Sequence, residues 1–238
     1  MNTFHSAYKM LKYKKIFFLS LLLATLLLLL PSCQQDQTVI PSASGESNMS
    51  VGFFTEVESG DNTLTLSEAK FNVKSMKLDN HGHHGECDVR IGPFVVYLDL
   101  LPKYVNATIT TIPIGRYESI KFHIHKPNPN EPMPDPDFIE SNNRRYSVVV
   151  KGTYNGQGFV YKSSINVARK VFLDNYPIEV AERPLINITI TVNPYSWFRE
   201  NGVFLNPMDE GNSHKIDHNI KESLKRAFRD LNCDGWPD

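Results

Sequence analysis

No Gly-x-Ser-x-Gly, no His-Glu-x-x-His, no phosphate-binding loop and no dinucleotide fingerprint occurs in this chain. Those absences set aside the enzyme classes that announce themselves in short motifs. A glycosidase stays open, because its two carboxylates can come from distant strands. An excess of positive charge is also missing: Lys and Arg number 25 against 26 Asp and Glu, so there is no basic footprint for nucleic acid. Cysteine is scarce at three residues, too few for a disulfide-dense scaffold. No stretch repeats with a period of 20–50 residues, which sets aside solenoids and propellers. Long apolar runs are confined to one, Ile16 to Leu30, broken only by Ser20, Ala24 and Thr25. As a helix it would rise roughly 22 Å, short of the ~30 Å bilayer core, which argues against a membrane-spanning segment.

That run has a second reading. Lys9, Lys12, Lys14 and Lys15 precede it, and Leu30-Pro31-Ser32-Cys33 closes it. A basic flank, an apolar centre and a small residue before a cysteine resemble the lipobox of a bacterial lipoprotein signal peptide. The resemblance implies cleavage before Cys33, acylation of its thiol by palmitate-like chains, and a membrane partnership through that anchor. Residues 34–49 are small and polar and read as a flexible tether. Gln34 is not the Asp of an inner-membrane retention signal, so the expected location is the outer membrane, in the periplasmic or the surface-facing leaflet. The expected divisions are thus a signal peptide over 1–32, a tether over 33–49 and one domain over 50–238. Without the four signal lysines, 21 basic residues face 26 acids, a net charge of −5.

In an exported chain the two remaining cysteines, Cys87 and Cys233, suggest a disulfide. It would close a loop of more than a hundred residues, nominally adding about 4–5 kcal/mol. The alternative is two buried thiols that never meet.

Patterning over 50–238 is that of short strands. Ser50–Val57 alternates apolar and polar residues, and Asn62–Leu78 reads as two strands or one bulged strand. Phe94–Leu101 is nearly continuous in apolar residues, the mark of a strand buried on both faces. Thr108–Ile112 is a short strand, and Pro113-Ile114-Gly115 is a turn before Tyr117 re-enters a sheet. Ile120, Phe122 and Ile124 then alternate with Ser119, Lys121, His123 and His125. Five prolines between Lys126 and Asp137 predict a stiff, exposed loop. Asn155-Gly156 between two β-branched and aromatic runs predicts a type I′ hairpin over 146–162. Leu185–Val192 alternates again. Ile216, Ile220, Leu224 and Phe228 form one apolar helical stripe. The expected fold is all-β: an antiparallel β-sandwich, immunoglobulin- or transthyretin-like, with one C-terminal amphipathic helix.

Candidate sites are few. Asp230, Asn232 and Asp234, with Gly235, the Trp236 carbonyl and Asp238, match the first half of an EF-hand or dockerin calcium loop. The chain ends before the bidentate Glu at the twelfth position, so Ca2+ would need completion from elsewhere; the plainer reading is a solvated tail. His81, His83, His84 and Glu86, beside Cys87, suit a transition metal, against the reading of a solvated loop. His123 and His125 share a strand face about 7 Å apart and would need a third ligand. Tyr195 and Trp197 can stack on a sugar, or plug one end of the sandwich under the final helix.

Gly92-Pro93-Phe94-Val95-Val96, Leu98-Asp99-Leu100, Ile112-Pro113-Ile114-Gly115-Arg116-Tyr117 with Ile120-Lys121-Phe122, and Asn219-Ile220-Lys221 running to Asp234-Gly235 together resemble envelope lipoproteins of the Bacteroidota. More loosely, Leu98-Asp99-Leu100-Leu101 and Pro113 to Ile120 are similar to a domain-of-unknown-function family with a P-x-G-x-Y pattern. The resemblance implies a β-sandwich at the envelope and carries no catalytic residue. The expected function is a non-enzymatic, lipid-anchored binding protein for an unknown envelope ligand or protein. The alternatives are a metal-binding protein using the His-rich loop and a carbohydrate-binding accessory lipoprotein.

Overall fold

Period-two stretches become strands wherever one face meets apolar neighbours. The computed structural model describes residues 45–56, 62–80, 89–131, 135–175, 177–181 and 185–238. In chain order the strands are β1 (Glu46–Thr55), β2 (Leu64–Asn80), β3 (Val89–Ile91), β4 (Phe94–Tyr97), β5 (Tyr104–Pro113), β6 (Gly115–Ile124) and β7 (Val148–Tyr154). They continue with β8 (Gln157–Ser163), β9 (Val167–Phe172), β10 (Ile178–Val180), β11 (Ile186–Val192), β12 (Arg199–Glu200), β13 (Val203–Phe204) and β14 (Ala227–Arg229). The helix α1 (Ser213–Ser223) lies between the last two.

Two sheets make a sandwich. One has the order β14-β11-β1-β5. The other runs β10-β6-β2-β7-β8, with β3 and β4 also on β2 and β9 also on β6. Pairing is antiparallel except between β1 and β11. Phe53 of β1 meets Phe71 of β2 edge to face at 5.2 Å, which ties the inner faces together. Val51, Ile188 and Ile190 from one sheet and Met76, Leu78, Ile120 and Ile124 from the other are buried around that contact.

The second sheet is organised by β2. It is a single strand of 17 residues, with register shifts at Leu66/Glu68, Val73/Ser75 and Asp79/Asn80. Those bulges let one edge serve β7 and then β6, while the other edge takes β4 and β3. The Ser-Glu-Ala interruption in its pattern is such a bulge. The hairpin β7-β8 turns on Asn155 and Gly156, both at positive φ (48° and 77°), as a type I′ turn requires.

The Pro-Ile-Gly turn carries β5 into β6. The buried Tyr117 hydroxyl donates back to the Pro113 carbonyl at 2.9 Å, a corner that fixes the turn. Tyr117→Phe removes that donor and keeps the ring. It should lower the unfolding free energy by about 1 kcal/mol, read from the urea midpoint.

Three details depart from the patterning. β4 is half-buried, with Val96 inside and Tyr97 exposed, because among the described residues only β2 pairs with it. The proline-rich segment ends docked: Asp135 caps a 3-10 turn over Pro136–Phe138, and Phe138 is fully buried. The helix stops at Ser223, and Phe228 is buried on β14 instead of on a helical stripe. The edge of β11 would otherwise leave its backbone donors and acceptors unpaired, and β14 takes that edge over Ile188–Ile190.

Candidate functional site

Several residues marked by the sequence lie outside the described residues: Cys33, His81, His83, His84, Glu86 and Cys87. Cys233 is disulfide-bonded, and its expected partner Cys87 is among those. Among the described residues no helix is long and apolar enough to cross a membrane.

The C-terminal tail folds around Asp230, which is fully buried. Its carboxylate accepts from Thr189 Oγ1 (2.9 Å), Asp234 N (3.1 Å) and Gly235 N (3.0 Å). Burial pushes that carboxyl above the ordinary range, against those hydrogen bonds. Gly235 sits at φ +86°, the sharp turn its position called for. Asn232 bonds the Asp234 backbone and carboxylate, Asp234 accepts from Trp236 N, and Asp238 accepts from Leu231 N. The side chains of Asp230, Asn232, Asp234 and Asp238, expected to face Ca2+, thus accept hydrogen bonds within the loop and from Thr189. Among the described residues no group of three or more His, Cys, Asp and Glu is placed to hold a metal.

Trp197 and Phe198 are buried against α1, so Trp197 offers no face to a sugar. The exposed tryptophan is Trp236. His123 and His125 stack edge to face at 5.4 Å. The His123 Nε2–H donates to Asn166 Oδ1, and His125 Nδ1–H donates to the Lys126 carbonyl.

A charge cluster docks the proline-rich segment. Lys70 is 3% exposed, and its Nζ lies 2.8 Å from Glu68 and 2.6 Å from both Asp135 and Asp137. Lys151 bridges Asp137 and Glu68, and the Tyr97 hydroxyl donates to Asp135 at 3.0 Å. Burial pushes the Lys70 ammonium down, but the three carboxylates outweigh it and leave it above the usual lysine range. Bonds from Lys151 and Lys70 hold Asp137 down to about 2. Every charge here has an opposite, which marks a fastening and not an open site.

The outer face of the same sheet gathers cations from four strands. Register places Lys77 opposite Arg90, Lys77 opposite Lys121, and Lys121 opposite Lys170. Four cations therefore stand in one row across β3, β2, β6 and β9, at about 4.8 Å per strand. Like charges directly opposite one another are destabilising in a sheet. The neighbouring row is Ser75, His123 and Ala168, whose small members leave open a cavity of about 410 Å3. The row on the other side brings Asp79 and Ser119. Asp79 accepts from Ser119 at 3.0 Å and pairs with Lys121 at 2.8 Å and Lys170 at 3.3 Å. Burial pushes its carboxyl up, but Lys121, Ser119 and Lys170 prevail and leave it below the ordinary range. Glu118 pairs with Lys170 at 3.1 Å, and the Lys170 ammonium lies 4.6 Å from the Phe172 ring centroid.

Sequence reasoning missed this row because its members are 77, 90, 121 and 170. The outward period of β6 marked Lys121, but only the strand register reveals its neighbours.

Comparison with known proteins adds little. No family model and no curated protein matches the chain. Among solved structures it is similar to MbnP from Methylosinus trichosporium. The identity is 10%, the TM-score is 0.37, and the match covers 61% of this chain and 76% of that one. Likeness at that level carries no argument about ligand or activity.

Proposed function

We propose that this is a non-enzymatic, lipid-anchored binding protein of the bacterial envelope, and that its ligand is an anion seated on the row Arg90, Lys77, Lys121 and Lys170. The lipobox-like Leu30-Pro31-Ser32-Cys33 supports the anchor and the outer-membrane address. The single observation behind the anionic ligand is the four-strand register of like charges. Like charges opposite one another cost stability, Asp79 and Glu118 offset part of that cost at Lys121 and Lys170, and a bound anion with several oxygens adds charge-assisted hydrogen bonds to the row. The cavity beside the row gives that anion room. Ser75 adds a neutral hydroxyl donor next to the cations.

Titration with inorganic sulfate at low ionic strength, followed by amide chemical shifts, tests this reading. The expected result is a saturable set of shifts at Ser75, Lys77, Lys121 and Lys170. Shifts absent there, or scattered evenly over all surface lysines, contradict it.

A further inference from the structure

The basic row is not the end of the positive surface. A second cavity, of about 420 Å3, opens where β6 runs out into the proline-rich segment. Its cations are Lys126, Arg144 and Arg145. Asn128, Asn143 and Ser164 add neutral amide and hydroxyl groups to its wall. His123 lines the first cavity and His125 the second, and their rings are 5.4 Å apart. The two cavities therefore adjoin along one strand, joined by an imidazole pair. From Lys121 to Lys126 an extended chain covers roughly 17 Å.

We infer that the two cavities form one track that takes an extended acidic polysaccharide, with anionic groups at both cation clusters and sugar hydroxyls against the amides between. The inference rests on the anionic-ligand reading and specifies its ligand. A lone anion fills one cavity and leaves the other cation cluster unused. A chain with repeated charges engages both, and the second engagement is intramolecular. Neutral amide and hydroxyl groups beside cations match a ligand that is both hydroxylated and charged. Single-stranded nucleic acid fits less well, since it needs aromatic platforms for its bases. Apart from the His123 and His125 imidazoles, which pack edge to face on each other, the aromatic ring lining the cavities is Phe122, 3% exposed and turned into the core.

The test uses the full chain in non-ionic detergent. Heparin-derived sulfated oligosaccharides of two, four, six and eight sugars are titrated calorimetrically, beside inorganic sulfate and oligothymidylate. Affinity should rise by about tenfold or more from the disaccharide to the hexasaccharide. In the Lys126→Ala/Arg144→Ala variant, with its melting temperature checked, the hexasaccharide should fall to the disaccharide's affinity. Sulfate binding together with an affinity that ignores sugar length overturns the track but leaves the anion site standing. Oligothymidylate binding as tightly as the hexasaccharide also overturns it. Failure of every anion to bind removes the reading beneath.

Discussion

Replacing Lys70 by alanine should cost about 3–5 kcal/mol of stability, the typical loss when one partner of a buried ion pair is removed. Lys70 is 3% exposed and sits between Glu68, Asp135 and Asp137. Without it, the Asp135 carboxylate keeps Tyr97 and the Asp137 backbone N–H as its donors among the described residues, and it remains buried. The proline-rich segment is tethered there by Phe138, so its docking loosens too. The urea midpoint of Lys70→Ala reads this directly. A loss under about 1 kcal/mol would mean that the cluster is ornamental.

The same cluster sets an acid limit. Asp135 and Asp137 both titrate below the ordinary carboxylate range, Asp137 at about 2. A carboxyl depressed on folding stabilises above its unfolded pKa of about 4 and loses that contribution as pH falls through its folded value. Wild type should therefore lose stability between about pH 4 and pH 2. The gap between wild type and Lys70→Ala should close over the same window, because protonated acids no longer need the ammonium. Asp230 works in the opposite sense, since burial raises it, and it softens the acid loss without reversing it.

Lys121→Ala should separate binding from stability. Lys121 stands mid-row between Lys77 and Lys170. A charge-assisted hydrogen bond to an anion contributes about 1.5–3 kcal/mol, so affinity for a sulfated oligosaccharide should drop about ten- to hundredfold. Stability should move by no more than about 0.5 kcal/mol. Asp79 keeps Ser119 and Lys170 after the change, and one like-charge opposition in the row is gone. A structural role for Lys121 demands the reverse, with intact binding and a clear loss of stability.

How legible all this was depends on whether the signal is local. The Asn155-Gly156 hairpin, the corner at Pro113 and the alternation of β6 are local, and each is present in the fold. The end of α1 is not. Ile216, Ile220, Leu224 and Phe228 satisfy a helical period, yet the free edge of β11 decides where Phe228 goes. The half-burial of β4 is likewise set by its place at a sheet edge. Binding chemistry followed the same rule. Clusters contiguous in sequence, at residues 81–86 and 230–238, are visible without a fold. The cationic row is assembled from four strands and exists only once their register is known. Net charge misled in the same way, because an overall deficit of positive charge says nothing about where the cations gather.

The most direct test of the anion site is the salt dependence of sulfated hexasaccharide binding, measured in parallel for wild type and Lys121→Ala. Neutralising an anionic chain releases counterions, so the logarithm of affinity should fall steeply and linearly with the logarithm of salt for wild type. The slope should be shallower by about one for the variant. Parallel lines of equal slope, or a wild-type affinity indifferent to salt, would contradict the assignment of the ligand to the row.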